Sequence, residues 1–147
     1  MDIMRMESGF LHWGHDISPE ENQYQAGLAF TISNKKDVDF IGKQALENIK
    51  QDKVKTRCSM FTLKESEPGK PLLLHDEPIY DGEKIIGRST SGNYSFNFKK
   101  NLVFGYIENK LSNEELQSKN LFIEVEKQKY PISIKSEPLK RTDFKSL

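Results

Sequence analysis

Ile79-Tyr80-Asp81-Gly82-Glu83-Lys84-Ile85-Ile86 reads as a β-hairpin closed at Asp81-Gly82. Apolar residues stand on both sides of that pair, and Asp-Gly accepts the positive φ angles of a two-residue turn. The same period of two continues in both directions. Upstream, Cys58-Ser59-Met60-Phe61-Thr62-Leu63 is one strand, followed by a charged loop over residues 65–71 that contains Pro68 and Gly69. Downstream, residues 102–107 form another, and Gly105 inside it predicts a bulge or a close backbone approach. Leu121, Ile123 and Val125 alternate, as do Tyr130, Ile132 and Ile134, so a second hairpin turns across residues 126–129. Pro131 confines its strand to an edge or to the strand's start. Residues 112–117 read as one helical turn. Residues 54–138 thus hold about six short strands and little helix, which predicts a small antiparallel barrel or sandwich.

The chain before this region has a different character. Residues 1–17 read as a short helix and then a loop, and Ser18-Pro19-Glu20-Glu21-Asn22 as a polar turn. Residues 26–33 (AGLAFTIS) read as a strand with Leu28, Phe30 and Ile32 on one face. Asp39 is the expected N-cap of a helix running from Phe40 to about Lys50, with Phe40, Ile41, Ala45, Leu46 and Ile49 on one stripe. The fold class is therefore α+β, mostly β: a small antiparallel barrel or sandwich of about six strands, preceded by a segment with one strand and one clear helix.

The totals bound the function. The chain has 147 residues, with 22 Lys plus Arg against 22 Asp plus Glu. A net charge of zero argues against a domain that grips nucleic acid by its phosphates. The single Cys58 excludes an internal disulfide framework or a cysteine zinc cluster and suits a reducing compartment. No apolar run approaches membrane-spanning length, and no basic and apolar leader opens the chain. The expectation is a soluble, cytoplasmic protein without a membrane or nucleic-acid partner.

Arg5-Met6-Glu7-Ser8-Gly9-Phe10-Leu11-His12-Trp13-Gly14-His15-Asp16-Ile17 concentrates an arginine, acids, histidines and large aromatics around two glycines. Such a mixture suits a flat, polar, partly anionic ligand, with rings for stacking and an arginine fork for carboxylates. It also suits a helix end whose Arg5 and Glu7 pair with neighbours while Phe10, Leu11 and Trp13 enter the core. His12 and His15, with Asp16 following, could share a helix face as metal ligands, yet nothing else in the sequence adds a ligand at a recognisable interval and His75 stands alone. Cys58 sits mid-strand among apolar neighbours, as a buried inert thiol does. The hydroxyl-rich Ser89-Thr90-Ser91-Gly92-Asn93-Tyr94-Ser95 either lines a cleft or turns one strand into the next. It lacks the glycine spacing and lysine of a phosphate loop, and the turn is the better reading. Lys99-Lys100, Lys135 and Lys140-Arg141 are interleaved with acids and read as solvated faces.

Taken in order, RMESGFLHWGHDI, AGLAFTI, DFIGKQAL, EPIYDGEKIIGRSTSGNYSFNFKKNLVFGYI and YPISIKSEPL resemble the folate-binding aminomethyltransferase family. That family includes the glycine cleavage T-protein and the C-terminal halves of dimethylglycine and sarcosine dehydrogenases. Trp13 before Gly14, together with DFIGKQAL, is closer to the dimethylglycine dehydrogenase branch. The resemblance implies that residues 1–51 are the tail of the folate-binding domain and residues 52–147 the family's C-terminal β-barrel domain. It implies tetrahydrofolate as ligand, with Phe30, Phe10, Trp13 and Phe144 at positions that contact it. Arg5, Glu7, Gly14 and Asp16 match signature positions read as structural.

Two departures stand against full activity. The family's folate arginine falls at Met1, and its essential aspartate and pterin-gripping acid belong to an N-terminal half this chain does not carry. The flavin domain of the dehydrogenase branch is missing too, so no FAD and no metal site is expected here. The resemblance thus implies a C-terminal fragment or subunit of a one-carbon enzyme, silent by itself and completed by a partner chain or by self-association. The alternative is a non-catalytic binding or interaction module built on the same barrel.

Overall fold

The computed structural model describes residues 2–32, 39–49 and 54–135. Six strands, β1 (Thr56–Leu63), β2 (Pro78–Asp81), β3 (Lys84–Ser95), β4 (Lys100–Glu108), β5 (Leu121–Val125) and β6 (Gln128–Lys135), close into a barrel in the order β1-β4-β3-β2-β5-β6. Every pairing is antiparallel, and β6 returns to β1 through Leu63↔Ile132 and Phe61↔Ile134. Closure removes the free edge that an open sheet would expose. Pro131 therefore lies on no edge strand. It sits just before the β1 ladder begins, paired with Phe122 of β5, and its carbonyl accepts from the Lys64 N–H at 2.9 Å.

Alternation explains the two cores. On β1 and β4 the odd-numbered Phe61, Leu63, Val103 and Ile107 point into the barrel with Ile79, Ile123 and Ile132. The even-numbered Met60, Leu102 and Phe104 point outward, where they would meet water. Helix α1 (Asp2–Glu7) covers them instead, packing on β3 and β4 and inserting Met6 into this second cluster. Residues 101–107 are consequently buried on both faces. Full burial of a side chain the size of Met6 contributes roughly 1.5–3 kcal/mol.

Turns follow local chemistry. Asp81 pairs with Lys84, so Gly82 and Glu83 make the β2–β3 turn, with Gly82 at φ 61°. The predicted hairpin is present, one residue further along than Asp81-Gly82. The β5–β6 turn uses Glu126 and Lys127, both at positive φ (51° and 65°). Helix α3 (Asn113–Gln117) begins in a capping box: Ser112 accepts from the Glu115 N–H while Glu115 accepts from the Ser112 N–H.

Gly105 is required by close approach. A Cβ there would lie 2.6 Å from the Arg88 carbonyl and 2.9 Å from Ile79 Cδ1. Opposite it, β3 carries a bulge: Ser89 pairs with Gly105 and Ser91 with Phe104, leaving Thr90 as the extra residue.

Three expectations are corrected. Residues 89–95 are not a turn but the second half of β3. Residues 26–32 form no strand; Ala29–Thr31 is a single 3-10 turn. The amides ahead of it are taken locally, Tyr24 and Gln25 N–H both donating to Asn22 Oδ1 at 3.0 Å, and without a ladder partner the alternating pattern has nothing to pair with. Ser33 lies outside the described residues. Helix α2 spans Lys43–Asn48 rather than starting at Phe40. Asp39 Oδ1 accepts from the adjacent Phe40 N–H, and Gly42 at φ 91° occupies the cap, leaving Ile41 fully exposed.

Candidate functional site

A cleft of about 630 Å³ opens where the N-terminal segment lies against the barrel. Arg57, Cys58, Ser59 and Met60 of β1 and Phe104 of β4 form its floor. One lip is the loop leaving α1, residues 8–11, and the other is residues 26–30. Phe10 and Phe30, far apart in sequence, thus meet the same space, 68% and 83% exposed. Lys135 also lines it. A cleft of this size with an apolar floor, two rings and a guanidinium has the make-up of a small-ligand site.

Desolvation, with the charges of Asp16 and Glu21, pushes the Cys58 thiol up to about 12, so it stays a neutral thiol. Desolvation also lowers the Arg57 value, against the pull of Glu114. Arg57 donates from Nη2 to the Leu111 carbonyl at 2.8 Å, while its buried Nε has no hydrogen-bond partner. An unsatisfied buried donor costs roughly 1–3 kcal/mol.

Beside the cleft lies a polar clasp built around Asp16, which is 1% exposed. Oδ1 accepts from Thr90 Oγ1 at 2.5 Å and Ser91 Oγ at 2.8 Å. Oδ2 accepts from Arg5 Nη1 at 2.6 Å and the His12 N–H at 2.8 Å. The Asp16 carbonyl takes the Tyr106 hydroxyl at 2.8 Å. Consecutive strand residues normally point to opposite faces; the Thr90 bulge is what lets Thr90 and Ser91 reach one carboxylate oxygen together. Burial pushes the Asp16 carboxyl up, but the Thr90, His12 and Ser91 hydrogen bonds and the Arg5 charge outweigh it. Its value is held below the ordinary 3.8. Desolvation, with Cys58, Glu21 and Asp16 nearby, raises the Tyr106 phenol.

The other expected residues fall as follows. Glu7 accepts from Ser95 Oγ at 2.5 Å and Asn97 Nδ2 at 2.7 Å, holding α1 to the end of β3. Gly14 takes φ 89° in the tight turn where Trp13 bridges Ile17, and its N–H donates to the Ile17 carbonyl at 2.7 Å. Trp13 is 66% exposed and does not line the cleft. Phe144 lies outside the described residues, as do Met1, Lys140 and Arg141. The His12 and His15 rings stack with centroids 4.7 Å apart, and His75 pairs with Asp76. Among the described residues no group of three or more His, Cys, Asp or Glu is arranged to hold a metal ion. No helix among them is long and apolar enough to cross a membrane.

Sequence reasoning missed Arg57 and the Thr90–Ser91 pair. The only signal for the latter was the hydroxyl run itself, which as a strand reads as a polar stripe awaiting a partner.

With fold and cleft in view, the comparisons with known proteins are direct. Residues 57–140 match the glycine cleavage T-protein C-terminal barrel domain, and the chain belongs to that family. Within it, the chain is 34% identical to human mitochondrial dimethylglycine dehydrogenase over 143 residues, 97% of this chain and 16% of that protein. An aminomethyltransferase of Symbiobacterium thermophilum is 32% identical over 106 residues, 72% of this chain and 27% of that one. The crystal structure of glycine cleavage system aminomethyltransferase T from Bartonella henselae shares the fold, with a TM-score of 0.77 over 95% of this chain and 37% of that chain at 22% identity. The chain thus spans 16% and 27% of the lengths of these two curated relatives.

Proposed function

We propose that this chain contributes one wall of a tetrahydrofolate site in an aminomethyltransferase or dimethylglycine dehydrogenase-like enzyme. Residues 1–51 are then the tail of the folate-binding domain and residues 52–147 its C-terminal barrel, a division supported by the family match beginning at residue 57. The observation that carries this reading is the convergence of Phe10 and Phe30 on one cleft above Arg57. Two rings at the mouth suit the flat pterin and aminobenzoyl groups, and Arg57 with Lys135 suits the carboxylates of the tail. When bound, tetrahydrofolate supplies the carrier for the one-carbon unit.

The same cleft argues that this chain alone is silent. Its titratable lining groups among the described residues are Arg57, Cys58 and Lys135. Two are cations and the third is a thiol held neutral, so none is suited to accept a proton near neutral pH. A carboxylate from the folate-binding half, on the same polypeptide or a partner chain, would complete the site. A cytoplasmic setting fits the lone free thiol.

The test is calorimetric titration of the chain with tetrahydrofolate. Saturable binding, weakened about tenfold by Phe30→Ala as one stacked ring is lost, is the expected result. No heat at millimolar ligand would overturn the folate assignment and leave a non-catalytic barrel module.

A further inference from the structure

A largely exposed ring is not located by packing, so whatever fixes Phe10 acts through its backbone. The Phe10 N–H donates to the Arg5 carbonyl at 2.8 Å, and the Phe10 carbonyl accepts from Arg5 Nη1 at 3.1 Å. That nitrogen also donates to Asp16 Oδ2 at 2.6 Å, while Nη2 reaches Ser91 Oγ of β3 at 2.9 Å. One guanidinium therefore joins the lip of the cleft, a buried carboxylate and the barrel wall. The facing lip is stitched differently: the Cys58 N–H donates to the Gln25 carbonyl at 2.7 Å, and Gln25 Nε2 to Thr56 Oγ1 at 3.0 Å.

We propose that Arg5 is a positioning residue, setting the place of the Phe10 lip and hence the width of the cleft by bridging the Phe10 carbonyl, Asp16 and Ser91. Its ligand, though not its lip geometry, rests on the folate reading above. A lysine keeps the charge but not the fork, so it cannot hold three partners in two directions at once. Charge alone would make Arg5→Lys nearly neutral; bridging makes it disruptive.

The experiment uses the full chain with Arg5→Lys, Ser91→Ala, Phe10→Ala and the Arg5→Lys/Phe10→Ala pair. Amide hydrogen exchange reads the lip without any ligand, and calorimetry reads tetrahydrofolate affinity. Arg5→Lys should speed exchange over residues 8–14 while Thr56–Leu63 keeps its protection, and Ser91→Ala should do the same to a smaller degree. Phe10→Ala should weaken binding about tenfold in the native background and by less than about twofold in Arg5→Lys, because a misplaced ring has little left to lose. Unchanged exchange over residues 8–14 in both single variants would overturn the proposal. So would lost protection over Thr56–Leu63 in both, which marks a residue that merely stabilises the fold. If the native chain binds no tetrahydrofolate, the folate assignment falls and the exchange arm still decides the role of Arg5.

Discussion

Asp16 shows how much one side chain can organise. Its two oxygens receive four donors from three parts of the chain, and the N-terminal segment is tied to β3 through it. Asp16→Asn removes the buried half of an ion pair and should lower stability to urea by about 3 kcal/mol. The pH dependence has a definite sign. The folded carboxyl titrates below 3.8, so its contribution is complete above the unfolded value of about 3.9 and is lost as pH falls through the lower folded one. The native advantage over Asp16→Asn should therefore shrink as pH falls below about 4, as urea midpoints at stepped pH would show. Cys58 behaves oppositely. Its folded thiol stays protonated to about 12, while an unfolded thiol ionises near 8.5, so stability falls as pH rises above about 8.5. Cys58→Ala should flatten that alkaline limb, and native Cys58 should react with alkylating reagents far more slowly than the unfolded thiol.

At the scale of elements, strands with internal alternation were legible and segments defined by a partner were not. β1, β4, β5 and β6 announced themselves through residues such as Phe61, Leu63, Ile123 and Ile132, because one face of each meets the barrel interior. The second half of β3 concealed itself: Ser89, Thr90, Ser91 and Ser95 are buried against polar partners, Glu7 and Asp16 among them, and buried hydroxyls look like a turn in sequence. Residues 26–32 erred the other way, their alternation finding no ladder. Of the residues that line the cleft, Phe10 and Phe30 stood out in the sequence, whereas Arg57 did not, because its place there comes from the tertiary position of β1. The β5–β6 turn yields a further prediction. Glu126 and Lys127 both hold positive φ, which favours Asn and Gly. Glu126→Asn/Lys127→Gly should raise stability by about 1 kcal/mol, read as a thermal midpoint several degrees higher.

Over the whole molecule, the barrel and the N-terminal segment share one fold through the outer face of β4. Leu102 and Phe104 are apolar on the side where a free-standing barrel would be wet, and Met6 covers them. The closed ring of strands has a consequence for the order of synthesis. β1 leaves the ribosome before the barrel's other strands, yet one of its two neighbours is β6, the last of them in the chain. Until Lys135 has emerged, the nascent chain carries β1 and β5 with one flank each unpaired, a sticky intermediate that only the final strand can seal.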